Sequence, residues 1–224
     1  GDAYECTDMW REMVAKGMDV QSHSRFHRSA GDYNSGKTSS AQDWMDFYGG
    51  SQDIASAGIR SLIIAYPCGY NNPELSKLLY IGGRGTGGYV NGFNLDYNCL
   101  ASFSGLNEKQ FAQLLDMAES GNGGWVSTHY HQIGSSKDSL ESMLAQLVPY
   151  MQAGKLWSTT FAKASQYGQE RDTASLTMGV TGRDLITLTL TDRRNDLLFD
   201  QALTIKIKVD STWSGVRAYQ NGQE

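Results

Sequence analysis

Two hydrophobic periods divide the chain. Up to residue 171, apolar residues recur at helical spacing or gather in short runs bounded by turn residues; beyond it they alternate with polar ones. Residues 8–16 have helical period and composition, with Thr7 suited to the N-cap and Gly17 to the position past the end. Residues 18–21 alternate and read as a short strand that delivers His23. Residues 41–57 carry Trp44, Met45, Phe47, Ile54 and Ala57 around two glycines, as one broken helix or two short ones. Residues 59–66 form a largely apolar run, expected of a buried parallel strand, and end in the turn sequence Pro67-Cys68-Gly69-Tyr70-Asn71-Asn72. A helix with Pro73 at its first position follows over 73–80.

Residues 82–98 are glycine-rich and read as a loop that allows backbone to approach a ligand. They lack both the Lys-Ser/Thr ending of a phosphate loop and the spacing of a dinucleotide fingerprint. Then come an amphipathic helix (107–120), a strand (125–129), a second amphipathic helix (138–153), a strand (156–160) and a helix (161–171). Alternating helices and strands define an α/β fold. In the tail, 174–180, 185–191, 203–209 and 216–220 alternate between turns at 182–184 and 192–196, the mark of antiparallel β structure. The expected organisation is an α/β domain over 1–171 and a small β-rich domain over 172–224. The tail is either a small sheet packed on the first domain, the favoured reading, or a carbohydrate-binding module.

Composition narrows the function. A net charge of −5 over 224 residues, with no basic stripe, argues against nucleic acid. No apolar run approaches the ~20 residues of a membrane span. No signal peptide is visible, and an opening on Gly1-Asp2 reads as a processed or excised segment. Cys6, Cys68 and Cys99 have no metal-ligand spacing and neither demand nor exclude one disulfide. Only four histidines are present. His23 and His27 stand four apart, so a helix starting right after the strand would put both on one face as a pair of metal ligands. The alternative is two histidines decorating a helix start. His129 and His131 close another strand-like run, on one face of it if extended. A residue used so sparingly and placed at two strand ends points to a site.

Three features then meet in order: His23-Ser-Arg-Phe-His27, Ala65-Tyr-Pro-Cys-Gly69 and the strand into His131. They resemble the second, third and fifth motifs of the polysaccharide deacetylases, the NodB-homology carbohydrate esterases, over residues 8–171. The resemblance implies a distorted (β/α) barrel, here partial, with its site at the C-terminal ends of the strands. It implies Zn2+ or another divalent metal held by an Asp and two His, with His23 and His27 as the histidine ligands. His131 becomes the general acid, with His129 in reserve. Tyr66, Pro67, Cys68 and Gly69 line the substrate groove, and the Cys68 N–H points at the oxyanion. The family's first motif, which carries the base and the third metal ligand, is absent, and Asp2 is a poor substitute. Ala65 stands where many members have an Arg that orients the base. Asp96 and Arg84 are loose candidates for the fourth motif.

The implied activity is removal of acetyl groups from an acetylated polysaccharide or oligosaccharide, by a secreted, periplasmic or cell-surface protein. A catalytically impaired glycan-binding module on the same scaffold is the alternative. A third reading is an unrelated metal hydrolase with Asp19 or Asp96 as third ligand. A barrel without its first strand exposes an edge, so a second fragment or a swapped protomer is expected to cover it.

Overall fold

In the computed structural model, residues 7–28, 39–120, 124–131, 137–181, 184–220 and 223 are described. Asp2, Cys6, the loop residues 29–38, the Gln132-Ile133-Gly134 segment and the turn at 182–183 lie outside them. The chain separates into two compact units between Ser165 and Gln166.

The first unit is mixed helix and strand. Its helices are α1 (Thr7–Ala15), α2 (Ser40–Ser56), the single turn α3 (Pro73–Ser76), α4 (Glu108–Ser120) and α5 (Lys137–Gln152); α6 (Phe161–Thr173) begins in it. Its strands are short: β1 (Ile63–Ala65), β2 (Gly82–Arg84), β3 (Phe103–Ser104) and β4 (Thr128–His129). β1 pairs with β2 and β3 with β4, both parallel. Single parallel bridges, Ser22 to Ile64 and Arg84 to Leu100, extend the pairing on either side. Leu100 leads within three residues into β3. Five parallel segments thus follow one another in chain order, and their C-terminal ends share one edge. No closed sheet forms among the described residues: the strands pair as three two-stranded sheets, without the barrel character expected of a partial (β/α) barrel.

Several expected elements differ for identifiable reasons. Residues 18–21 form no strand; the Gln21 side-chain amide does the pairing instead, its Oε1 accepting from the backbone N–H of Leu62 (2.7 Å) and Ile63 (2.8 Å). No helix follows His23. α2 is continuous through Gly49 and Gly50, and Ser39 starts it with a capping box to Gln42. The helix expected over 73–80 is one turn, capped by Asn72. β2 begins the glycine-rich stretch read as a loop. Its glycines serve close packing: a Cβ on Gly83 would lie 2.5 Å from the Tyr66 hydroxyl, and one on Gly82 2.8 Å from Ser165 Oγ. The strand expected over 156–160 is not formed.

Two apolar clusters hold this unit. Phe47 of α2, Ile64 of β1, Tyr66 and Tyr80 pack together under Leu75 and Leu79. Phe111 and Leu115 of α4 pack on Met143 of α5, with Tyr130 against them. Each cluster joins a helix to a strand or to the residue just after it, and so fixes the strand ends that carry the site.

The second unit contains the rest of α6 and a hairpin, β5 (Ser175–Thr181) and β6 (Leu185–Thr191). One hairpin face is apolar (Leu176, Met178, Ile186, Leu188, Leu190) and the other carries Thr177, Thr187 and Thr189, as the alternation implies. Residues 203–209 and 216–220 form no strand beyond a bridge from Gln220 to Gln223. Glu170 instead receives the chain at Gln201, whose N–H donates to both carboxylate oxygens (2.9 and 3.1 Å).

Candidate functional site

The residues singled out by sequence gather at the C-terminal ends of the parallel segments, where side chains from several strands converge. Ser22 enters as a buried bridge residue on β1, and His23 follows it. The His23 Nδ1–H donates to the carbonyl of Ala65, the last residue of β1, at 2.7 Å. With Nδ1–H donating, the lone pair lies on Nε2, as in a metal-bound imidazole steadied from behind.

The chain then turns rather than coiling. Ser24 (φ 63°) and His27 (φ 50°) are both left-handed, and the His27 N–H donates to Ser24 Oγ (3.1 Å). The turn brings the two rings to a centroid separation of 4.8 Å, edge to face. The pairing expected from a helix is therefore achieved by a strained loop.

What holds this loop is a residue the sequence did not point to. Asp46 of α2 is fully buried, and its Oδ1 accepts from the backbone N–H of Arg25 (2.9 Å) and Phe26 (2.6 Å). Arg25 reaches back to α2, donating from Nε to Asp53 (2.8 Å) and from its terminal nitrogen to the Gly49 carbonyl (3.1 Å). A Cβ on Gly50 would stand 2.8 Å from Ser22 Oγ and from the Ser24 backbone. The pair of glycines read as a helix break lets α2 press on the histidine loop. Two glycines, a buried aspartate and a second aspartate two turns further along form a pattern too common to single out.

Beyond β1, Tyr66 turns into the core, its hydroxyl donating to the Asn98 carbonyl (2.7 Å) and bonded to Ser76 Oγ (2.6 Å). Burial pushes its phenol pKa far up. Pro67 is buried, whereas Cys68 is exposed with φ 55° in a short 3₁₀ turn, Pro67–Gly69. Gly69 (φ 75°) closes on Thr86, where a Cβ would overlap its hydroxyl at 2.2 Å.

At β4, His129 Nδ1 is bonded to Ser102 Oγ (2.8 Å), which accepts in turn from Ser127 Oγ (3.2 Å). His131 is exposed, its ring centroid 6.1 Å from that of His129. Asn91, buried, stitches this end of the array, donating to the carbonyls of Ala101 (3.0 Å) and Trp125 (3.2 Å).

Electrostatics ties the two histidine pairs together. Loss of water around the ring, then the charges of His27, Arg84 and His131, pull the His23 pKa below its ordinary value against the Ala65 hydrogen bond. Desolvation, then Arg84 and His131, lower that of His129. Both shifts favour the neutral imidazole, the form that ligates metal.

His23 and His27 suit a divalent cation as two nitrogen donors. Among the described residues no third His, Cys, Asp or Glu joins them. Asp19 is exposed beside Gln21, and Asp96 is bound to Lys77 (3.0 Å), so neither stands as the third ligand.

No family model matches the chain. A gellan lyase from Bacillus sp. is 27% identical over 251 residues, an alignment covering 96% of this chain. The chain spans about a tenth of that relative's length (10%). A solved structure, the family 4 carbohydrate esterase from Streptomyces lividans in complex with acetate, is similar at a TM-score of 0.42 and 16% identity, covering 66% of this chain and 69% of that one.

Proposed function

We propose that the first unit is a polysaccharide deacetylase-type hydrolase, a metal-dependent enzyme that removes acetyl groups from an acetylated glycan. The observation that carries this reading is the His23–His27 pair: two rings 4.8 Å apart at a strand end, one locked by the Ala65 carbonyl with its other nitrogen free. His27 makes no ring hydrogen bond among the described residues, so its nitrogens are open too. A divalent ion such as zinc, when bound, supplies the Lewis acidity that polarises an acyl carbonyl and activates water.

The chain's own groups complete the chemistry. The Cys68 N–H, in an exposed residue of the Pro67–Gly69 turn, would receive the negative charge on the acyl oxygen. His131, exposed beside His129, would donate a proton to the departing amine or alkoxide, with His129 held by Ser102. Tyr66 and Pro67 shape the groove from behind as buried supports.

The segment at Ser22 has no backbone pairing on the side away from β1 among the described residues, so this edge can accept a further strand from a second fragment or a swapped protomer. Among the described residues no helix is long and apolar enough to cross a membrane. A glycan substrate places the protein outside the cell, secreted or at the surface.

The second reading, a glycan-binding module on this scaffold, is favoured by the absence of a third ligand among the described residues. Acetate release separates the two. With zinc supplied, an N-acetylated and an O-acetylated oligosaccharide are incubated with the protein, with His27→Ala and with His131→Ala. Release that both substitutions suppress supports the hydrolase. Retention of the oligosaccharides without acetate release overturns it in favour of the binding module.

A further inference from the structure

Arg84 is the last residue of β2, in register with Ala65 of β1, whose carbonyl holds His23. It is half-buried, yet its guanidinium makes no hydrogen bond or ion pair among the described residues. Five other cations among the described residues have a carboxylate partner. Arg11 meets Asp8, Lys16 meets Glu12, Arg25 meets Asp53, Lys77 meets Asp96 and Arg171 meets Asp172. A guanidinium cannot shed its charge, and shielding it from water without a partner is costly.

Nothing acidic among the described residues offsets that cost: the one influence resolved on Arg84 is loss of water. Its charge is felt at both His23 and His129. A half-buried guanidinium without a partner suits an anion, and a planar carboxylate fits its fork with two parallel hydrogen bonds.

We infer that Arg84 receives the carboxylate of a uronic acid residue, so that the glycan taken at this edge is an acidic one. The inference rests on the reading that these strand ends form the glycan site. It does not depend on metal or on turnover. A carboxylate could also come from released acetate, and the test separates the two sources.

With EDTA present, sodium glucuronate, sodium acetate and glucose are each titrated into the protein, into Arg84→Gln and into Arg84→Lys. The ring-proton NMR signals of the four histidines report binding, and circular dichroism confirms that each variant is folded. The expected result is a saturable shift of the His23 and His129 signals with glucuronate and none with glucose. Affinity should fall at least tenfold in Arg84→Gln and less in Arg84→Lys, which keeps the charge but loses the fork. Absence of a glucuronate shift, or equal binding by Arg84→Gln, would overturn the inference. So would tight Arg84-dependent binding of acetate alone, which would make the position a product site. Arg84-dependent glucuronate binding by a protein that releases no acetate from any glycan would sink the deacetylase reading and leave this one standing.

Discussion

Asp46 should matter more to the histidine site than any residue of the histidine motif except the histidines themselves. Its carboxylate is fully buried and accepts from the N–H groups of Arg25 and Phe26. Asp46→Ala strands them unequally. The Arg25 N–H keeps the Asp46 backbone carbonyl at 3.0 Å, whereas the Phe26 N–H has no other acceptor among the described residues. One orphaned buried donor costs roughly 1–3 kcal/mol, and charge-assisted bonds lie toward the upper end, so a loss of about 2 kcal/mol is expected. For a unit of this size that lowers Tm by roughly 4–8 °C. The left-handed conformation of His27 is then no longer enforced, and metal affinity should fall on the order of 10–100-fold, as when a support behind a ligand is removed. Asp46→Asn keeps an accepting oxygen and loses only the charge, so it should fall between wild type and Asp46→Ala in both measurements. Thermal melts and a competitive zinc titration read the two effects. If Asp46→Ala melts within a degree of wild type and binds zinc equally well, the loop is not held from α2 and the reasoning fails.

Three further outcomes follow from the same contacts. Gly50→Ala normally favours a helix by about 1 kcal/mol, but here it should lower Tm, because the new Cβ would meet the Ser24 backbone at 2.8 Å. Gln21→Leu should destabilise by roughly 2 kcal/mol in a urea melt, since it unpairs the N–H groups of Leu62 and Ile63. His23 and His129 have folded pKa values below the ordinary histidine value of 6.5, so the unfolded chain binds more protons near that pH. The stability they contribute is present above 6.5 and is lost as pH falls through the depressed folded values; Tm should drop on acidification below neutrality, and His129→Gln should flatten that slope.

Sequence legibility varied with the kind of signal. The two amphipathic helices at 107–120 and 138–153 match α4 and α5 closely, because a 3.6-residue period is a property of the segment itself. Strands depend on partners. Gly82-Gly83-Arg84 has no β-forming residue apart from its context, and its glycines are required by Tyr66 and Ser165, neither adjacent in sequence. Conversely, 203–209 alternates cleanly and forms no strand, since alternation specifies a half-buried face and not a neighbour to bond with.

The site shows the same division. The spacing of His23 and His27 marked the pair, but the geometry that joins them needs a left-handed turn and a buried aspartate on another element. The position of Arg84 beside Ala65, whose carbonyl holds His23, follows from strand register, which chain spacing does not reveal. Tyr66 was read for its place in a motif, and its burial between Ser76 and Asn98 came from packing alone.

The most direct test of the central claim is a zinc titration of the metal-free protein and of His27→Ala, followed through the ring-proton NMR signals of the four histidines. The account predicts that the signals of His23 and His27 move together and saturate at about one zinc per chain, with the His23 response abolished in His27→Ala. Signals that stay in place, or a His23 response unchanged by His27→Ala, would contradict the assignment of this pair as the metal-binding centre.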